Sequence, residues 1–337
     1  MIRRSFPSIR ASAVLVTVLC FWQVGVAGQN SLVPRTPDGR PDLSGTWNFS
    51  TAAPMQRPEE LADKAVLTAE AAAEYEQRVA ARRRAGDSPS ETASLESRVS
   101  YEQAIWLERG DQLTERRTSL VVDPPNGRVP AQTQVAQIRT ATRRDARNRA
   151  PRGPEDRNIA ERCVMGFNSG PPMTPSAYNN NVQIFQTSSY VVILNEMVYK
   201  AQVVPLDKRP HRPSHVRQWA GDSRARWEGD ALVIATTNLL REISLDGSSA
   251  NLHLVERLTR VGEGMLTCLF TVTDSASWEA PLDGEVHMTH TGEPLYEYAC
   301  HEGNYSMATA LSGARSGPRG RWAVTAAKPL EPTKEDP

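Results

Sequence analysis

From residue 179 onward the chain runs in short segments where apolar and polar residues alternate, each closed by turn-forming residues. Segments 182–187 and 190–197 flank Ser188-Ser189, and 199–206 follows. Segments 225–228 and 231–238 flank Gly229-Asp230, and 252–261 and 265–273 flank Glu263-Gly264. Segments 284–291 and 295–300 complete the series. Alternation with period two puts one side of each strand in a core and the other toward solvent. Turns recurring about every 10 residues suit a sandwich or barrel of hairpins rather than βαβ units, so a parallel α/β fold is excluded.

The pattern upstream is different. Pro41-Asp42-Leu43-Ser44-Gly45 is a turn leading into a short strand in which Trp47 and Phe49 share a face. Residues 67–84 have helical periodicity, with Thr68 as cap, Glu70 and Glu74 near the start and Arg82, Arg83 and Arg84 near the end. Ala71, Tyr75 and Val79 form the buried stripe of that helix. Strand-like runs at 104–109 and 118–123 follow, the second closed by Pro124-Pro125-Asn126-Gly127. Residues 131–162 hold eight Arg against four acids and few large apolar groups, which predicts a solvated helix followed by a loop, or else an anion-binding surface. The segment 313–337, rich in Gly, Pro, Lys and acids, is expected to be a disordered tail.

The amino terminus changes the compartment. Arg3, Arg4 and Arg10, the apolar run 11–26 and the small residues Gly25 and Ala27 have the layout of a cleavable secretory signal peptide ending near Ala27. The apolar run is shorter than the roughly 20 residues of a membrane-spanning helix, so stable membrane insertion is not expected. Export implies a periplasmic or extracellular product, with one domain over 28–312 carrying the insert 131–162. Lys plus Arg and Asp plus Glu number 39 each, and removing three Arg leaves 36 against 39, or −3. Nothing in that balance calls for nucleic acid as a partner.

Three cysteines remain after the signal, Cys163, Cys268 and Cys300, in a compartment where disulfides persist. Cys268 sits in an apolar strand-like run and reads as a buried free thiol, which leaves Cys163 with Cys300 as the expected bridge, tying a long loop to the last strand.

Gly45-Thr46-Trp47 at the head of the first strand, followed by up-and-down hairpins, resembles the lipocalin or calycin superfamily. That resemblance implies an all-β, lipocalin-like antiparallel barrel of about 8–10 strands, its floor closed by the tryptophan and its lumen holding a small ligand. The segments 41–47, 123–128 and Tyr296-Glu297-Tyr298-Ala299-Cys300-His301-Glu302-Gly303-Asn304-Tyr305 also resemble a group of secreted bacterial proteins with no established reaction. A long insert after the first strand departs from a standard lipocalin.

Candidate chemistry lies in the carboxyl-terminal half. All six His (211, 215, 253, 287, 290, 301) fall there, but His287 and His290, three apart in a strand, face opposite sides, as do His253 and Glu256. No metal and no other cofactor is therefore expected. Glu297 and His301 share a strand face, with Glu302 beside them, which suits a general acid or base. Arg217 and Arg224 could clamp a carboxylate while Trp219 stacks on a ring, and His253, Tyr298 and Asn304 complete a candidate ligand-binding set. Motifs of serine hydrolases, zincins and phosphate loops are missing. The expected function is binding of a small organic molecule in a barrel pocket. The alternatives are a secreted lyase, isomerase or hydrolase using His301 with Glu297 or Glu302, and a structural or partner-binding envelope protein.

Overall fold

The computed structural model describes residues 33–87, 108–240 and 247–316. Its ten strands form one antiparallel sheet: β1 (Gly45–Asn48), β2 (Val121–Asp123), β3 (Asn181–Gln186), β4 (Tyr190–Asn195), β5 (Ala201–Pro205), β6 (Asp222–Glu228), β7 (Ala231–Thr237), β8 (His253–Arg260), β9 (Met265–Thr273) and β10 (Leu282–Thr291). Among the described residues three α-helices accompany them, α1 (Ala69–Asp87), α2 (Gln134–Asn148) and α3 (Ser306–Ser316). The signal segment 1–27 and the run 104–107 lie outside the described residues.

The strand order is β5-β4-β3-β1-β10-β9-β8-β7-β6, with β2 pairing one end of β10. The first strand thus pairs with the last, Trp47 opposite His290, and the ladder is open only between β5 and β6. Each of the nine strands on this path runs antiparallel to its neighbours, so β5 and β6 point the same way. An up-and-down sheet of odd strand number cannot close by antiparallel pairing, and here the sheet curls until its edges meet without a backbone ladder between them. A side-chain bond bridges the seam, the amide of Gln202 donating to the Ser223 hydroxyl at 2.8 Å. The expected barrel is therefore realised as a curled sheet with one unzipped seam.

Alternation places the core. On β8 to β10, Leu254, Leu258, Leu266, Phe270, Val286 and Met288 face inward and are buried, meeting Leu232, Ile234, Val182 and Ile184 from the other strands. Gly284 lies opposite Phe270, and a Cβ there would come within 2.1 Å of the ring, so the glycine is what lets the ring lie flat across β10. Trp47 seals one end: its indole donates to the Leu43 carbonyl at 3.0 Å and lies beneath the Arg260 guanidinium, 5.1 Å away. Arg260 in turn holds the carbonyls of Asp42, Gly262 and Glu263, fastening the β8–β9 turn to the segment before β1.

Helix α1 forms as the pattern predicts, with Thr68 accepting from the Ala71 N–H and Ala71, Tyr75 and Val79 packed on the core. Helix α2 begins at Thr133, which accepts from the Ala136 N–H. Three of the insert's arginines act as staples: Arg139 donates to Ser277 and the Gly247 carbonyl, Arg149 pairs with Asp156, and Arg157 holds two carbonyls of the insert itself.

Two expectations need correction. Residues 295–300 form no strand; the chain leaves β10 at Thr291 and crosses the surface without a ladder to the helix at Ser306. Pro294 and Gly292 interrupt the pairing that the alternation of 295–300 suggests. Residues 313–316, expected to open a disordered tail, are the last turn of α3.

Candidate functional site

The expected disulfide is present: Cys163 and Cys300 are bonded, their Cα atoms 5.6 Å apart, and Cys268 is buried and free. It ties the insert to an irregular surface segment rather than to a strand. Because residues 292–305 do not alternate as a strand, Glu297 and His301 have no common face to share. Glu297, His301 and Glu302 are all exposed, and their side chains have no hydrogen bond or ion pair among the described residues. Tyr298 stacks on Tyr178 at 6.4 Å, and the Asn304 amide sits 3.2 Å from the Cys163 sulfur.

The other candidates are bound to the protein itself. Arg217 donates to the carbonyls of Leu239 and Ala250, and Trp219 lies 5.7 Å from the Arg162 guanidinium. Arg224 donates to Asp222 at 2.8 Å and to the Ser223 carbonyl at 2.7 Å. Asp222 is almost fully buried and also takes the Arg212 N–H and the His211 ring. Burial pushes its carboxyl up, but those three donors outweigh burial and hold it below the usual range. His253 lies nearby and exposed, its pKa lowered first by desolvation and then by the charge of His211. Arg217 and Arg224, spent on these contacts, do not form a clamp.

The histidine geometry follows the alternation argument. His290 meets Trp47 edge-on at 5.2 Å, whereas His287 points outward, 3.1 Å from Glu285, whose other oxygen takes Arg117 at 2.6 Å. His253 is exposed while Glu256 is buried inside the sheet. Among the described residues no group of three or more His, Cys, Asp or Glu is arranged to hold a metal. A shallow cleft beside Glu285 and His287, walled by Thr51, Thr114 and Ser119, has room for about one water molecule.

The most unusual chemistry is in the interior, and none of the residues proposed from the sequence for catalysis or ligand binding carries it. Several inward positions of β4 to β8 are polar: Asn195, Gln202, Ser223, Thr236 and Glu256, with Lys200 just before β5. Glu256 has the same strand parity as Leu254 and Leu258, lies opposite Ile234 and Phe270, and is only 3 % exposed. Its carboxyl has no hydrogen-bond partner among the described residues. Burial raises its pKa to about 7, against the opposing pull of the Lys200 charge. Asn195 is 2 % exposed and its side-chain N–H group is buried without a partner.

Lys200 is half-buried, and desolvation lowers its pKa to about 8 while the Glu256 charge pulls the other way. It spends its N–H groups on the Ser169 carbonyl at 3.1 Å, the Gly170 carbonyl at 3.4 Å and Gln202 at 3.5 Å, not on Glu256. Those two carbonyls belong to the segment linking Cys163 to β3, which the lysine thereby draws against this end of the sheet. From Gln202 the chain of bonds runs on through Ser223 to Thr236, 2.8 Å per step.

Residual exposure differs among the inward side chains. Trp47, Leu232, Leu254, Leu266, Phe270 and Met288 have none at all, whereas Ile193, Ser223, Ala225, Glu256 and Cys268 each keep 3–6 %. The interior is thus a packed apolar core interrupted by a cluster of polar inward positions.

The fold is thus mostly β, a curled antiparallel sheet with an apolar interior and a few polar inward positions, consistent with the all-β lipocalin-like class. No family model matches the chain, and no curated protein does. Among solved structures, a single-residue mutant of the fluorescent protein UnaG is similar at 15 % identity over 34 % of this chain and 72 % of that one, with a TM-score of 0.22. Among the described residues no helix is long and apolar enough to cross a membrane.

Proposed function

We propose that this is an exported binding protein that holds a small organic molecule inside its curled sheet, in the chamber formed by Glu256, Asn195, Lys200, Gln202 and Ser223. One observation carries the proposal: the Asn195 side-chain N–H group is buried in the interior with no partner, and the inward-facing Glu256 carboxyl, on a residue 3 % exposed, makes no hydrogen bond among the described residues. Leaving a buried donor or acceptor unpaired costs about 1–3 kcal/mol each, a cost that a ligand or an ordered water would remove. The bound molecule presents an acceptor to the Asn195 amide and a hydrogen-bonding group to the Glu256 carboxyl, and its apolar part rests against Ile193 and Cys268. A disulfide between Cys163 and Cys300 supports an oxidising compartment, periplasmic or extracellular, as does the signal peptide expected at 1–27.

The test is mass spectrometry of small molecules released by denaturing protein purified from the periplasm of a secreting host. A stoichiometric compound is expected from the wild-type chain and a reduced amount from Glu256→Gln. Equal recovery of nothing but buffer components from both proteins would refute the proposal.

A further inference from the structure

We propose that Thr267, His287 and Glu285 form a hydroxyl–imidazole–carboxylate triad on the outer face of the sheet, and that it hydrolyses carboxylic esters by acyl transfer to the Thr267 hydroxyl. Register brings the three together. Thr267 on β9 and His287 on β10 are directly paired, and Glu285 stands two residues before His287 on the same face. Thr267 Oγ1 lies 3.2 Å from His287 Nδ1, and His287 Nε2 lies 3.1 Å from one Glu285 oxygen. The other oxygen takes Arg117 at 2.6 Å. A hydroxyl within hydrogen-bond reach of a base that a third group orients is the arrangement of an activated nucleophile.

The carboxylate decides which ring nitrogen is the base. Glu285 is held below the usual carboxyl range first by His287 and then by Arg117, against the opposing effect of burial, so it is a negative charge at neutral pH. It stands off the line of a hydrogen bond to Nε2, which is buried without a partner among the described residues, so its pull on the ring is electrostatic. A proton on Nε2 faces that charge, and Nδ1 keeps the lone pair that accepts from the Thr267 hydroxyl. The imidazole is fixed, its side chain only 8 % exposed, while Thr267 is half-buried and within reach of solvent. Thr259 pairs with Thr267 from β8, on the side away from His287, and its hydroxyl has no partner among the described residues. From there it can donate to the ester carbonyl oxygen as charge develops on it.

The atoms balance with water as the second reactant. The Thr267 oxygen adds to the carbonyl carbon while its proton passes to Nδ1. The bond to the alkoxy oxygen then breaks, the alcohol leaves with that proton, and an acyl ester of Thr267 remains. Water gives a proton to Nδ1 and adds to the acyl carbon, and the Thr267 oxygen leaves with the proton to release the acid. His287 and Glu285 also line the cleft that has room for about one water, which brings solvent to the ring. The acyl groups that fit are uncharged and apolar, because Met265 and Leu269, two residues to either side of Thr267 on the same face, are partly exposed.

The experiment uses the full chain with 4-nitrophenyl butyrate as substrate and, separately, an alkyl fluorophosphonate as an irreversible trap followed by peptide mapping. The expected results are steady release of 4-nitrophenol and a phosphonyl group on Thr267. Thr267→Val, which keeps the shape of the side chain, should abolish both, and Thr267→Ser should retain both. His287→Gln should slow both by about 100-fold or more. A wild-type chain with no phosphonyl group on Thr267 overturns the triad, whatever the variants do. Turnover by Thr267→Val equal to that of the wild type, or trapping that His287→Gln leaves unchanged, overturns it as well.

Discussion

Replacing Glu256 by Gln exchanges a carboxyl for an amide of almost the same shape, so the substitution alters charge and little else. In the folded protein burial lifts this carboxyl from its ordinary 4.5 to about 7. A group whose pKa is raised on folding keeps its proton in the native state after the unfolded chain has lost it, so stability falls as pH rises between those two values. A displacement of about 2.5 pH units at 1.36 kcal/mol per unit amounts to roughly 3 kcal/mol. The Glu256→Gln variant has no proton to lose there. Its stability should therefore equal that of the wild type near pH 4.5, exceed it progressively up to pH 7, and stay about 3 kcal/mol higher at pH 7.5. Lys200 has the opposite sign and a higher window: its pKa is lowered to about 8, so its contribution to stability grows as pH rises from 8 to 10.5 and does not overlap. The assay is urea unfolding of both proteins, freed of small molecules, followed by tryptophan fluorescence at half-unit steps from pH 4.5 to 8. A difference curve that stays flat across that range would show that Glu256 is solvated or paired, and the interior chamber would lose its main support.

Other consequences can be checked with the same unfolding assay. Removing the Cys163–Cys300 bridge, which closes a 137-residue separation, should cost about 2–5 kcal/mol, with Cys268 remaining unreactive toward thiol reagents until the chain unfolds. Gly284→Ala forces a Cβ into the Phe270 ring and should destabilise by about 2–3 kcal/mol, whereas Gly229→Ala, with open space around it but a φ of +61°, should cost no more than about 1 kcal/mol. Arg260→Ala removes three carbonyl contacts and the cap over Trp47; a loss of about 3 kcal/mol and a red-shifted tryptophan emission are expected.

The strand series was legible because alternation and turns are local signals. Leu254, Leu258 and Arg260 on β8, or Leu266, Cys268 and Phe270 on β9, announce their shared face in the order of residues alone. The buried thiol and the disulfide followed from the same pattern by arithmetic. What failed was register-free inference at the carboxyl-terminal end. The run 295–300 alternates, but alternation without a partner edge makes no strand, and with it went the common face of Glu297 and His301. The seam between β5 and β6 was hidden as well, since it depends on strand number and curvature, which no short segment encodes.

The interior chamber left one faint signal. In His253-Leu254-Val255-Glu256-Arg257-Leu258, Glu256 stands on the parity of the leucines, so a charge sits on the face destined for the core. The alternation that excludes His253 and Glu256 as a pair of metal ligands also says that one of them is buried. Asn195 and Lys200 gave no such sign. Asn195 ends a strand and Lys200 precedes the next, and only the closing of that hairpin sets the two opposite each other.

The most direct measurement of the central claim is a crystal structure of the full chain purified from an oxidising compartment and never denatured. The chamber account predicts density that is not protein between Glu256, Asn195 and Lys200, within hydrogen-bonding distance of the first two. A chamber closed by collapsed side chains, with the Asn195 amide and the Glu256 carboxyl each bonded to protein, would contradict it.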